Sequence, residues 1–277
     1  MSEPADWFTP AGLAELRAGL DGFAEDVSIR EPVEVLVDEV LDLGDRVLPL
    51  RRYGTGERLL VWFHGGGYIT GGLDAIDPVC RVLANRSGWS VLSVGYRLAP
   101  EDPFPAASDD AVAVLRHASS GAEVVAVGGD SAGGGLAAAA ARACPSPPAA
   151  LVLLCPFLDA TLSYPSVPDK GSDYGLTLEG LRAFVQLYGG DPADPRVSPL
   201  LTPDLSGMPP TIVVTAEHDP LRDEGERFAA RVDEAGARAR LRRWDGMLHG
   251  FPGMTADLPE AMEALAWVAE HLRALPT

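Results

Sequence analysis

The chain has 277 residues, 47% of them hydrophobic, which suffices for one sizeable α/β core and is too apolar for a disordered chain. A formal net charge of −18, with Lys170 the only lysine, repels polyanions and anionic surfaces, so neither nucleic acid nor membrane is an expected partner. Cys80, Cys144 and Cys155 are an odd set without paired spacing, so no disulfide framework is implied.

No apolar run approaches the ~20 residues that span a bilayer. The acidic start Met1-Ser2-Glu3-Pro4-Ala5-Asp6 lacks the apolar stretch of a signal peptide. A cytoplasmic protein is expected, with a homodimer left open. Residues 1–30 read as helical, with Trp7, Phe8, Leu13, Leu16, Leu20 and Phe23 on one face. Such a helix either docks on the domain or forms part of a lid, and periodicity does not separate the two. Residues 33–42 and 46–52 read as an antiparallel pair joined around Leu43-Gly44-Asp45. Strand 58–63 runs into His64-Gly65-Gly66-Gly67-Tyr68. Helix 76–87, strand 91–96 and helix 105–118 follow. Strand 123–127 leads into Gly128-Gly129-Asp130-Ser131-Ala132-Gly133, and helix 132–143 comes next. Strand 150–155 ends the regular rhythm.

Residues 157–206 are rich in Pro, Asp, Ser and Gly and hold one helical segment, 178–188. So long an excursion inside a regular alternation is usually a lid or a pocket wall. Strand 211–215, a helix over 224–235 closed by Gly236, strand 238–244 and helix 259–275 complete the chain. The alternation predicts an α/β fold. Its mostly parallel central sheet has about eight strands, with helices on both faces and a small helical cap. One domain, 1–277, is expected, with cap elements at 1–30 and about 157–206.

Gly129-x-Ser131-x-Gly133 has the pattern of a nucleophile elbow, a serine held at the apex of a sharp strand-to-helix turn. A chain with 30 glycines produces such a pentapeptide by chance, so the context decides. A serine hydroxyl needs a base to take its proton. Of five histidines, His64 belongs to the glycine motif, and His117 and His271 fall on helices. His218 lies beside an aspartate and competes. His249, between flexible neighbours in a loop after the last strand, is preferred. For the orienting carboxylate, Asp219 follows a buried strand and precedes a proline; Glu217 and Asp223 are rivals, and Asp245 is too near His249 in the chain. The order Ser131, Asp219, His249 suits a triad on the C-terminal edge of such a sheet. Backbone amides of Gly65, Gly66, Gly67 and Ala132 are the candidates for an oxyanion hole. No phosphate-cradle motif, no H-E-x-x-H and no cysteine–histidine cluster is legible, so no cofactor and no metal are expected.

Four blocks then carry a resemblance. They are His64-Gly65-Gly66-Gly67, Tyr96-Arg97-Leu98-Ala99-Pro100-Glu101, Gly129-Asp130-Ser131-Ala132-Gly133-Gly134, and Asp219-Pro220-Leu221-Arg222-Asp223-Glu224-Gly225 with His249-Gly250-Phe251. With them the chain resembles the hormone-sensitive-lipase-like carboxylesterases of the α/β-hydrolase superfamily. The resemblance implies Ser131 as nucleophile, Asp219 and His249 as its partners, and hydrolysis of small-molecule esters of short to medium acyl chains. It also implies a cap built from the N-terminal helix and the 157–206 excursion. Only 63 residues precede His64, so that cap is expected to be short. Arg97 and Glu101 read as an ion pair or loop anchor, and Tyr68, Phe157, Leu158, Tyr188 and Phe251 as candidate pocket residues. A deacetylase or acyltransferase with the same triad is the alternative activity. A non-hydrolytic binding relative would lack a triad member, and a lyase would favour threonine at 131.

Overall fold

Leu59–Phe63, Ser90–Val94 and Leu151–Leu154 are buried at every position, as strands covered on both faces must be. In the computed structural model, which describes residues 3–172 and 175–276, they lie in one eight-stranded sheet. The strands are β1 (Leu36–Asp42), β2 (Val47–Tyr53), β3 (Leu59–Phe63), β4 (Ser90–Val94), β5 (Val125–Asp130), β6 (Leu151–Leu154), β7 (Thr211–His218) and β8 (Ala239–Leu248), in the spatial order β1-β2-β4-β3-β5-β6-β7-β8. β1 and β2 form the expected antiparallel pair, β2 runs antiparallel to β4, and the rest are parallel.

The helices are α1 (Pro10–Asp26), α2 (Leu73–Ser87), α3 (Ala106–Gly121), α4 (Ala132–Ala143), α5 (Ser166–Lys170), α6 (Leu178–Tyr188), α7 (Arg222–Glu234) and α8 (Pro259–Arg273). Alternate residues of each central strand divide the core in two. Leu60, Trp62, Val152 and Val214 pack with Val79, Leu83, Leu265 and Val268 of α2 and α8. Val61, Phe63, Val127 and Leu153 pack on the opposite face with α3, α4 and α7.

The N-terminal stretch begins with a 3₁₀ turn, Pro4–Phe8, and α1 starts only at Pro10, where the Thr9 hydroxyl accepts from the Gly12 amide at 3.1 Å. Trp7, Leu13 and Leu16 are buried as expected, but Phe8 and Phe23 are about half exposed, at 46% and 49%. Phe8 lies in the turn before Thr9, and Phe23 lies in the last turns of α1, beyond the buried Leu13 and Leu16. Two further differences concern length. Strand β8 runs to Leu248, four residues beyond the expected end, and α5 is an extra short helix within the 157–206 excursion. Met1, Ser2, Asp173 and Tyr174, which fall in the expected cap segments, lie outside the described residues.

Candidate active site

The C-terminal ends of β5 to β8 lie side by side, and each delivers one side chain. Ser131 follows β5 with φ 51° and ψ −121°, a left-handed-side conformation that an L residue holds only under constraint. The constraint is crowding. A Cβ on Gly133 would sit 2.0 Å from the Phe63 carbonyl oxygen, and one on Gly129 would sit 2.4 Å from Gly133 backbone. Only glycines let the chain turn that tightly against the end of β3. The turn is clamped by the Ser131 amide donating to Leu154 O (2.9 Å) and the Phe157 amide donating to Ser131 O (2.9 Å).

Next door, β7 and β8 pair to their last residues, His218 opposite Leu248, across a register shift after Ala216. The residues that follow on the two strands are therefore neighbours too. His249 Nδ1 lies 2.9 Å from Asp219 Oδ2, and its Nε2 lies 3.0 Å from Ser131 Oγ. Asp219 is fully buried, and its other oxygen accepts from the Leu221 amide at 2.8 Å. Burial opposes a charged His249, but the Asp219 charge and hydrogen bond, with a further contribution from Asp130, outweigh it and raise the imidazole above its ordinary 6.5. The rivals are occupied elsewhere. Glu217 accepts from the Gly246 amide at 2.7 Å, which holds its carboxyl below the usual range, and Asp223 ties α7 to α5 through the Ser166 amide at 2.9 Å. His218 lies 3.8 Å from the Glu217 carboxylate, His117 is exposed, and His271 bonds the Trp267 carbonyl.

The glycine loop narrows the expected oxyanion set. Gly65 is committed, because its amide donates to Asp130 Oδ2 at 3.0 Å. Among the described residues, the amides of Gly66, Gly67 and Ala132 donate to no protein acceptor. Gly67 has φ 61°, and a Cβ there would strike the Phe184 ring at 2.4 Å. His64 is a brace for this loop. Its ring is buried, stacks on Tyr96 at 4.2 Å and bonds Gly65 O at 2.7 Å, and burial lowers it to about 4. The Tyr96 hydroxyl donates to His64 O at 2.8 Å.

Four residues beyond the sequence expectations shape the site. Asp130 takes hydrogen bonds from Trp62 Nε1 (3.2 Å) and the Gly65 amide, and burial pushes it up to about 6 against them. Glu224 is buried and accepts from the amides of Leu158 and Asp159, fixing the loop after β6; burial raises its carboxyl well above the usual range. Arg17 of α1 donates to Ile69 O, Ala99 O and both oxygens of Glu101. Arg97 pairs with buried Asp110 at 2.8 Å. Arg97 and Glu101 thus anchor the loop through separate partners. The fourth is Cys155, which stands with Asp219 and His249 in a cluster whose ligand-type atoms all lie within 4.8 Å of one another. Sequence spacing hid this cysteine–histidine cluster because strand order, and not chain proximity, brings its members together.

The five aromatic and aliphatic pocket candidates are packed. Tyr68 stacks on Tyr188 at 3.9 Å and meets Phe157 edge-on at 6.0 Å; Leu158 is buried; Phe251 lies against Trp244 at 5.9 Å in the opposite core. None of them lines the 490 Å³ cavity found over the 157–206 excursion, whose walls are Ala160, Leu162 and Val167 on one side and Leu178, Arg182 and Val185 of α6 on the other. No helix among the described residues is long and apolar enough to cross a membrane.

Known proteins resemble this chain in sequence and fold. A family model described as an alpha/beta hydrolase fold matches residues 60–253. The chain is 40% identical over 229 residues to the ethyl acetate hydrolase of Pseudomonas putida, covering 77% of this chain and 72% of that one. It is 40% identical over 223 residues to the carboxylesterase NlhH of Mycobacterium tuberculosis, with 74% and 70% covered. A solved ester hydrolase from the metagenome of Lake Arreo, complexed with a bipyridine phosphonate derivative, superposes with a TM-score of 0.90 at 36% identity over 95% of this chain and 90% of that one.

Proposed function

The chain belongs to the hormone-sensitive-lipase-like carboxylesterases of the α/β-hydrolase fold and is a serine carboxylic ester hydrolase; from this premise we propose that Ser131, His249 and Asp219 are its catalytic triad. The observation that supports this assignment is the single imidazole held at hydrogen-bond distance from both Ser131 Oγ and Asp219 Oδ2. His249 Nε2 takes the Ser131 proton as Oγ attacks the ester carbonyl. Asp219 keeps the other proton on Nδ1 and stabilises the imidazolium that forms. The tetrahedral oxyanion is received by the amides of Gly66, Gly67 and Ala132. His249 then protonates the leaving alcohol, and water cleaves the acyl-enzyme by the same route in reverse.

We place the acyl chain of a small ester in the 490 Å³ cavity, with 1–30 and about 157–206 as the cap elements of a single domain. Its size suits short to medium chains, which would lie against Leu162, Val167, Leu178 and Val185, with Thr161, Arg182 and Gln186 as the polar part of the wall. The test is kcat/KM on p-nitrophenyl esters of increasing acyl length, in the wild type and in Val185→Phe. Narrowing the cavity should cost the hexanoate about tenfold relative to the acetate. An unchanged length profile would remove the cavity from the acyl site. Faster turnover of amides or of acyl transfer to an alcohol than of hydrolysis would favour the acyltransferase reading.

A further inference from the structure

Cys155 ends the buried run of β6, between the strands that carry Ser131 and Asp219, and the mechanism makes no use of it. Its backbone has φ 44°, which a residue with a side chain seldom adopts. Sulfur, an Asp219 carboxylate oxygen and a His249 ring nitrogen all fall within 4.8 Å of one another, and Cys155 and Asp219 are almost wholly buried. Thiolate, imidazole and carboxylate are together the donor set of a thiophilic divalent cation. Zinc bond lengths set tetrahedral ligand atoms about 3.3–3.5 Å apart, so a small contraction around sulfur and a small opening of the 2.9 Å His249–Asp219 contact would seat the ion.

We propose that Cys155, Asp219 and His249 form an inhibitory site for a thiophilic divalent cation of the zinc type. The proposal rests on His249 being the catalytic base. Binding releases one proton, from the Cys155 thiol. The ion takes the Nδ1 lone pair, so the imidazole proton passes from Nδ1 to Nε2. The site gathers two negative charges, thiolate and carboxylate, which the dication neutralises. Nε2 then carries hydrogen and no longer accepts the Ser131 proton. Inhibition follows from a change of tautomer without any blockage of the substrate cavity.

The experiment titrates Zn²⁺ into the enzyme while following p-nitrophenyl butyrate hydrolysis, then adds a chelator. Cd²⁺ binding is followed in parallel by its thiolate charge-transfer absorption, which does not depend on turnover. The expected result is loss of activity restored by the chelator. In Cys155→Ser, and separately in Cys155→Ala, half-inhibition should need at least about tenfold more zinc. The cadmium band should be present in the wild type and in Ser131→Ala, and absent from both Cys155 variants. A band without inhibition would overturn the inhibitory role, because the thiolate would then hold the ion without engaging His249. Wild-type activity indifferent to zinc together with no band, or equal inhibition of both Cys155 variants, would overturn the proposal.

Discussion

The sheet edge that carries Ser131, Asp219 and His249 and the segments that lie over it are built in different ways. At the edge, backbone register sets the side chains. Because β7 and β8 pair as far as His218 and Leu248, Asp219 and His249 arrive side by side, and the crowding of Gly129 and Gly133 against β3 leaves Ser131 one orientation. The cover is held by side chains. Trp7 stacks on Phe184 at 5.1 Å, Arg17 ties α1 to the loop after Gly67, and Thr177 caps α6 by accepting from Gly180 at 3.0 Å. An edge set by strand pairing and a tight glycine turn couples its side chains, so one change there is felt at several of them. A cover fixed by individual contacts can be rebuilt residue by residue.

If this contrast holds, substitutions at the edge should act on kcat and those in the cover on KM. The largest effect is expected from Asp219→Asn, which should lower kcat by about 10⁴-fold, whereas Glu217→Gln, two residues earlier, should change it little. The same variant tests the electrostatics. His249 must be neutral to act as base, and the Asp219 charge raises its pKa, so wild-type kcat/KM should fall as pH drops through a midpoint above the ordinary 6.5. Removing that charge should move the acid limb to lower pH. A limb that stays in place would detach His249 from Asp219.

Asp130→Asn comes next. The carboxylate accepts from both Trp62 and Gly65, while an amide offers one oxygen and must face one donor with its own N–H groups. The glycine loop should loosen and kcat fall about 10²-fold, with KM nearly constant. The smallest effect is expected in the cover. Arg17→Ala removes bonds to Ile69 O and Ala99 O, and a pair with a half-exposed Glu101 that solvent screens. KM should rise about fivefold, corresponding to roughly 1 kcal/mol, with kcat retained. A fall in kcat instead would place Arg17 with the machinery of the edge.

The same contrast governs what could be read from residues alone. Strand, glycines, serine and helix are contiguous, so the elbow, the sheet order's parallel core and the triad candidates were legible from local pattern. Asp219 is preferred over Glu217 for its place after a buried strand, and the pairing of β7 with β8 explains why that position meets His249. What stayed hidden depends on contacts between distant segments. Nothing local marks the Gly65 amide as already engaged by Asp130, or Phe8 and Phe23 as lying off the docked face. Cys155 reads as an ordinary core cysteine until β6 is placed between β5 and β7. Residues 157–206 carry too much Pro and Gly for periodicity to register the five-residue α5.

Reaction with a fluorophosphonate, followed by mass mapping of the adduct, tests the central assignment most directly. One phosphonyl group per chain is expected on the peptide bearing Ser131, with no labelling of Ser131→Ala and much slower labelling of Asp219→Asn. An adduct on any other residue, or an unlabelled wild type that hydrolyses esters at full rate, would contradict it.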